Sequence, residues 1–513
     1  MTLPSHEVGR SRGAVCGWLL AFGVLLLAGF ALRVAYYHGP YFVPDENITM
    51  QVVGHLRHSG DWDTNWARAD LTSDLRYDQY NFSSHLYATY IFYRLAELVP
   101  GTLAWRSEGE GLWVYRFFSV LLGTLVVGQT MLLGRRAGGG AVALGAGALV
   151  VVATQLVQEA HFMRPEAFTT VLTLAVVALC WPRENWRAGL GAAAFLIGLL
   201  LACKVSMLLI VWLPLVPLAT AWSRTDTRTR WVAVAVLPVA LAAGFAAGAP
   251  GAVAHPAQFI SGVRHLMAQY GSMHPPHSHI DGRPVADMMA GFFIATLGWP
   301  VIAGGMVGTV ALAWRRRWAE LALLAGPVVV FASYFATKGV FFERNLSHVL
   351  PLGLILAALG VAAIIEPIVA RGRVVAPVLF AGLVALLVVR PAVLTGRLVG
   401  LEFSGRASKQ RLVFEAALRA QYPAIWLQSE LLVSSQLEPI AAHFRSSKAP
   451  LLLGAVDYGD EWSASGRREL ASRGDVRLVG EQLGSFATVP TSTLVVYHSW
   501  RNHYFLVTNW RTK

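Results

Sequence analysis

Apolar residues run along this chain in stretches of about twenty, separated by short polar turns, without the 3.6-residue alternation that marks a helix with one wet face. On that pattern the sequence predicts about eleven membrane-spanning helices, near residues 14–35, 111–133, 140–158, 166–181, 188–202, 204–222, 231–250, 288–313, 318–337, 345–366 and 374–395. The run from Ala14 to about Val34 follows Arg10 and Arg12. It is longer than the ~7–15-residue apolar region of a signal peptide and lacks a convincing small-residue cleavage site, so it reads as a retained first span.

Arginine placement orients these spans. Arg135–Arg136, Arg183 with Arg187, Arg224 with Arg228 and Arg230, Arg315–Arg316–Arg317, and Arg371 with Arg373 fall on one side of an eleven-helix chain, together with Arg10 and Arg12. Basic loops stay in the cytoplasm, so that side is the cytoplasmic one. Residues 36–110, residues 251–287, the Lys338–Arg344 turn and the tail from about Thr395 then face outward. The first of these segments contains an amphipathic helix from Ser83 to Leu98, with Leu86, Tyr90, Tyr93, Leu95 and Leu98 available for a membrane-facing side. In the tail, apolar runs such as Pro450–Val456 and Thr493–Tyr497 alternate with helical stretches such as Gln410–Ala420, the pattern of a small α/β domain. The expected organisation is an all-α polytopic membrane protein over residues 1–395, with outward loops 36–110 and 251–287. A C-terminal extracytoplasmic soluble α/β domain follows over residues 396–513.

Composition agrees with a lipid setting. Charged residues make up 14% of the 513, against roughly 25% in soluble globular proteins. The net charge of +12 is spread over short loops with no basic stripe, which argues for loop anchoring and against nucleic acid as a partner. Cys16, Cys180 and Cys203 lie in or at the ends of apolar segments and show no metal spacing. The Ala- and Arg-rich, Lys-poor composition points to a high-GC bacterium, hence to a cell inner membrane with the outward face periplasmic.

The sharpest chemical feature is Tyr41-Phe42-Val43-Pro44-Asp45-Glu46-Asn47, just after the first span. A carboxylate at the outer membrane surface can take the proton of an acceptor hydroxyl while a sugar–phosphate bond breaks. Pro-Asp-Glu is equally a good helix start. One helix, a Pro-Asp-Glu loop and a block of roughly ten further helices resemble the GT-C glycosyltransferases, above all the protein O-mannosyltransferase and lipid A aminoarabinose transferase group. In that group the first outer loop bears an essential Asp beside the carrier lipid, and the matching position is Asp45, with Glu46 following. Gly60-Asp61-Trp62-Asp63 to Tyr80-Asn81-Phe82-Ser83-Ser84-His85 resembles the continuation of the same loop, with Asn81-Phe82 where relatives often carry prolines.

Further matches lie deeper. His161-Phe162-Met163-Arg164-Pro165-Glu166 resembles the family's Arg-bearing turn between its third and fourth helices. Cys203-Lys204-Val205 follows a glycine-containing apolar helix, as a family lysine often does, and Phe342-Glu343-Arg344-Asn345 with His348 and Pro351 resembles the Arg-Tyr…Pro pattern opening a late helix. Arg344, Lys204, Arg164 and Lys338 can bind a polyprenyl phosphate, the arginines through their planar fork and the lysines as point charges. The alternative for each is snorkelling to the interface. The segment His274-Pro275-Pro276-His277-Ser278-His279 resembles a His-Pro loop near the family's sugar site, and its imidazoles also suit a divalent cation. Tyr80, His85, His274, His277, Glu343 and His348 are thus sugar- or acceptor-side candidates.

The resemblance implies an inverting transferase that moves a sugar from a polyprenyl-phosphate donor to an extracytoplasmic hydroxyl on a lipid, glycan or protein. Asp45 would be the base, Glu46 would orient Asp45 or the acceptor, and the cations would hold the leaving phosphate. No cofactor is firmly implied, and a divalent cation is possible. A transporter or flippase of a lipid-linked or anionic solute explains the helices and outer cations equally well. It explains the Asp-Glu pair less well, and no internal repeat is visible to support it. An assembly protein whose tail binds partners is the third reading.

Overall fold

The computed structural model describes residues 12–39, 44–60, 62, 64, 82–99, 112–182, 186–369, 375–429, 437–483 and 501–511. Among these, seven helices are long and apolar enough to cross a membrane, or eight if the bent pair Ala286–Leu297 and Trp299–Trp314 is one span. The chain is a multi-pass integral membrane protein. All eleven apolar segments expected from the sequence are helical over most of their length, and the larger number has a physical origin. The element Leu112–Val151 reverses at Gly138 and Gly139, the latter at φ +81°. Its two limbs run antiparallel: a Cβ on Gly134 would stand 3.1 Å from Ala143 Cα, and one on Gly147 would stand 2.6 Å from Met131 Cγ. Pro165–Leu179 and Gly189–Leu201 are apolar helices shorter than a full span. The bent pair turns by 104°. Gly298 at the bend takes φ +82°, a conformation L side chains rarely adopt.

Glycines set the closest approaches in the bundle. A Cβ on Gly198 would fall 2.2 Å from Leu241 O, and one on Gly244 would fall 2.0 Å from Phe195 O. Gly308 and Gly360 make the same reciprocal contact with Leu356 O and Gly304 O, each at 2.0 Å. Lipid offers no hydrophobic drive for helices to associate, so backbone proximity and dispersion carry the packing. The first helix, Arg12–Val34, is tied in by a charge. Arg33 is fully buried and donates to the carbonyls of Gly29 (3.0 Å), Val150 (3.1 Å) and Val151 (3.4 Å), the last two at the C-terminus of the second hairpin limb. A cation suits that end of a helix.

Basic residues gather at one end of the bundle. Arg136 donates to Ala178 O (3.1 Å), Arg317 to Ala137 O (2.6 Å), Arg315 pairs with Glu366, and Arg135 lies over Trp18 (4.8 Å). The opposite end is covered by helices Pro44–Ser59, Ser84–Glu97 and Pro256–Gln269. Ser84–Glu97 falls where an amphipathic helix was expected, with a different division of faces. Leu86 and Tyr93 are buried against Val52, Val53, Tyr115 and Met163, whereas Ile91, Leu95 and Leu98 are exposed. The expected loop 251–287 is largely helical, because Pro250 and Pro256 each open a helix at the position where a missing N–H costs nothing.

After Val375–Arg397 the chain passes through a π-helical segment, Leu398–Phe403, into helix Arg406–Gln421 and a four-stranded sheet. The strands are β1 (Ile425–Ser429), β2 (Leu451–Asp457), β3 (Gly474–Leu483) and β4 (Arg501–Trp510), in the order β1-β2-β4-β3. β1 and β2 are parallel, joined through helix Glu438–Ser446, and the other pairs are antiparallel. Strand alternation sends Leu451, Leu453 and Ala455 to one core with Ile440 and Leu470, and Leu452 to the other with Leu418 and Tyr504. Helices therefore cover both faces, and β2 is buried throughout. The predicted run Thr493–Tyr497 lies outside the described residues.

Candidate functional site

At the end of the bundle opposite the basic cluster, a cavity of about 220 Å³ opens between the covering helices and the spans. Among the described residues, Arg164, Lys204 and Arg344 line it as cations and Glu166 as an acid, and His85, Thr49, Tyr270, Tyr334 and Asn345 add polar edges. Three local devices bring the cations together. Arg164 is the extended residue before helix Pro165–Leu179, whose first position is the proline. Lys204 is the extended residue (φ −149°) that separates helix Arg187–Leu201 from the 3₁₀ turn Val205–Ile210. Arg344 belongs to the 3₁₀ turn Glu343–Leu346, which Gln155 straps from below: its amide donates to Glu343 O and to Ser347 Oγ, the latter at 2.8 Å.

Carboxylates hold two of these cations, Arg164 and Lys204, in place. Arg164 Nη2 donates to both oxygens of Glu159 (2.8 and 2.7 Å), and Lys204 Nζ donates to Glu166 Oε1 at 2.7 Å. Glu166 Oε2 stands 3.9 Å from Arg164 Nε. Arg164, Glu159 and Glu166 are each about 2% exposed, so the charges are stable there only because they are mutually paired. Burial pushes the Glu159 carboxyl up, against the opposing pull of Arg164. Among the described residues the lining carries three cations and one carboxylate. Burial also holds the His85 imidazole down at about 4, with Glu166 raising and Lys204 lowering it, so the ring enters the cavity wall neutral at pH 7.

Helix Pro44–Ser59 packs beside this cavity and carries Asp45 in its first turn, four residues before Thr49. Thr49 donates to Met163 O at 3.1 Å. Glu46 is fully buried: Oε1 accepts from Arg116 Nε (2.8 Å) and from the Met163 amide (3.1 Å), and Oε2 accepts from Arg116 Nη2 (2.7 Å). Arg116 also donates to Tyr37 O and Gly39 O. The Glu46 carboxylate is paired with Arg116, and it fastens the Asp45 helix to the turn before Arg164. The side chain of Asp45, and Tyr80 altogether, lie outside the described residues.

The remaining expected residues are dispersed. His277 is buried, with its amide bonded to His274 O (2.7 Å), Nδ1 3.2 Å from Phe341 O, and its ring 4.8 Å from that of Phe342. His274 stacks outside it at the surface, and partial loss of solvent around the ring, followed by the charge of Arg344, lowers its imidazole. His348 is buried with its ring 4.2 Å from Phe331, and neither it nor Glu343 lines the cavity. Lys338 lies over Tyr334 (4.1 Å), next to the cavity and outside its lining. Among the described residues no group of three or more His, Cys, Asp or Glu converges as metal ligands. The sequence reading missed Glu159, Glu166, Arg116 and Tyr270. The legible signal was an acid five residues before Arg164 and another two residues after it, at a helix break.

No protein-family model and no curated protein sequence matches the chain. Solved structures do. The crystal structure of ArnT from Cupriavidus metallidurans bound to undecaprenyl phosphate superposes with a TM-score of 0.50 at 15% identity, covering 97% of this chain and 98% of that one. The apo state of the same protein gives 0.50 at 16% identity, over 96% and 98%. The fold is GT-C. A more distant likeness, TM-score 0.41 at 13% identity over 72% of this chain and 53% of that one, is to the Archaeoglobus fulgidus oligosaccharyltransferase in complex with Zn and sulfate. The GT-C likeness to ArnT spans nearly the whole chain, from the first helix through the C-terminal sheet.

Proposed function

We propose that the protein is a membrane glycosyltransferase that uses a polyprenyl-phosphate-linked sugar as donor and an extracytoplasmic hydroxyl as acceptor. The observation that carries this reading is the convergence of Arg164, Lys204 and Arg344 on one cavity beside the Asp45 helix. The GT-C fold is shared over nearly full length with ArnT, which has been crystallised with undecaprenyl phosphate, and this supports it. The basic end lies in the cytoplasm and the cavity end outside, in a bacterial inner membrane. Residues 1–395 form the catalytic unit, and residues 396–513 a soluble unit on the cavity side.

The carrier tail enters between helices and its phosphate sits against the three cations. As the anomeric C–O bond to phosphate breaks, the phosphate oxygen gains charge, and the cations, two of them already fixed by Glu159 and Glu166, stabilise it. Asp45 takes the proton of the acceptor hydroxyl as its oxygen attacks the anomeric carbon from the opposite side, which inverts that centre. The product is the glycosylated acceptor, and the leaving group is the polyprenyl phosphate.

The test uses purified protein in lipid, a set of radiolabelled polyprenyl-phosphate sugars and a membrane extract as acceptor source. Label should leave the carrier with the wild type and stay on it with Asp45→Asn. Carrier binding without turnover for any sugar would overturn the transferase reading in favour of transport.

A further inference from the structure

Residues 274–283 bridge two parts of the molecule. At one end, Phe341 N donates to His277 O (2.8 Å), and the Phe342 ring faces His277 on one hand and the guanidinium of Arg344 (4.9 Å) on the other. At the other end the segment is gripped by the start of helix Glu461–Arg473 in the C-terminal α/β part. Trp462 Nε1 donates to Ser278 O, and Glu461 Oε1 accepts from Ile280 N (2.8 Å) and lies 2.9 Å from His279 Nδ1. The other imidazole nitrogen, His279 Nε2, lies 2.7 Å from Asp287 Oδ1 at the head of helix Ala286–Leu297.

The two contacts of His279 cannot both be made by a neutral ring, which has one N–H and one lone pair. With both nitrogens protonated, each donates to a carboxylate. With the proton on Nε2 alone, Nδ1 becomes an acceptor and turns its lone pair to Glu461. A competing donor is already in place, since Arg283 Nη2 stands 3.3 Å from Nδ1. Arg283 is itself paired with Asp281 (3.7 Å) and Asp287 (3.4 Å). Asp460, the remaining charged group at this interface, spends Oδ1 on the Ser463 amide (2.8 Å). Deprotonation therefore exchanges the partner of Nδ1, from Glu461 on the C-terminal part to Arg283 on the membrane part.

We propose that His279 and Glu461 form a proton-operated clasp through which the C-terminal α/β part positions the Phe342 platform and, on it, Arg344. The clasp is closed when His279 is cationic and Asp287 and Glu461 are ionised, and it loosens as pH rises. Glu461 and His279 are positioning residues in this scheme, and the consequence for carrier binding rests on the reading of Arg344 as a phosphate ligand.

The experiment uses the full chain in lipid nanodiscs between pH 5.5 and 8.5. Two quantities are followed: hydrogen-exchange protection of residues 274–283 relative to intrinsic rates, and the Kd for a fluorescent polyprenyl phosphate. In the wild type, protection should fall with rising pH and Kd should rise about fivefold or more, a typical coupling between distant sites. His279→Gln and Glu461→Gln should each hold both quantities near their high-pH values throughout, and Glu461→Asp should restore part of the pH response. Unchanged protection in Glu461→Gln, or a full pH response in His279→Gln, overturns the clasp whatever the carrier does. Protection that responds to pH while no polyprenyl phosphate binds at any pH overturns the coupling to the cavity, and with it the phosphate reading of Arg344.

Discussion

Replacing Glu46 separates a part in the chemistry from a part in the architecture. In Glu46→Ala the Arg116 guanidinium keeps its burial and loses both carboxylate bonds, at 2.8 and 2.7 Å, and the Met163 amide loses its acceptor. Removing one partner of a buried pair costs about 3–5 kcal/mol. An orphaned buried amide adds about 1–3 kcal/mol, though the two overlap because the turn relaxes once. A total of order 5 kcal/mol corresponds to a fall of about 5–10 °C in the apparent melting midpoint, taking roughly 1–2 °C per kcal/mol for a chain of this size. The assay is tryptophan fluorescence in nanodiscs at a fixed scan rate, with transfer measured at 10 °C, well below the transition. Glu46→Met with Arg116→Met removes both charges together and should cost less than the sum of the single changes, with Tyr37 O and Gly39 O left to find water. If Glu46→Ala melts like the wild type while transfer is abolished, the carboxylate works in the reaction and the positional account is wrong.

Other outcomes follow from the same geometry. His85 has its folded value near 4, below the ordinary 6.5, so the unfolded chain binds the extra proton first. This group should then contribute a fall in stability on the order of 1 kcal/mol per pH unit as pH drops from 6.5 towards 4, and His85→Gln should remove that part of the slope in pH-dependent melts. Gly308→Ala would drive a methyl into Leu356 O, and a loss of about 1–3 kcal/mol is expected, whereas Gly382→Ala meets nothing within 4 Å and should leave the midpoint unmoved. Comparing the two melts checks the packing argument. Gln155→Ala frees Glu343 O and Ser347 Oγ from their strap. It should weaken polyprenyl-phosphate binding several-fold and lower the melting midpoint by a few degrees, since two buried acceptors lose their donor, and an unchanged Kd would mean that the Arg344 turn holds itself.

How much of this was legible beforehand depended on the range of the interaction. Spans were readable because burial in lipid imposes a run length, and the reversal at Gly138–Gly139 because arginines and glycines interrupt one such run. Arg164, Lys204 and Arg344 stood out as cations at helix ends, and they do line one cavity. The partners that fix them were harder to see. Arg116 lies seventy residues from Glu46 inside an apolar segment, and nothing local marks it as a counter-ion. The helices at Pro250 and Pro256 were hidden because their apolar content is too low for a span, and prolines read as loop. The faces of Ser84–Glu97 were misassigned because a helix lying between protein and lipid is apolar on two sides, and hydropathy does not say which surface is which.

Arg33 bears on the order in which the protein comes together. The carbonyls that receive its guanidinium, Val150 and Val151, are made more than a hundred residues later in the chain. Until they exist the side chain has to reach for the interface, since an unpaired arginine within hydrocarbon is expensive. The first helix can therefore lodge in the membrane early, yet it can rotate into its final seat only after the hairpin behind it is complete. A nascent chain halted near residue 130 should leave that helix open to lipid photocrosslinking at Gly29, and one halted past residue 200 should not. During synthesis, the first span waits for the fourth helical segment before it locks.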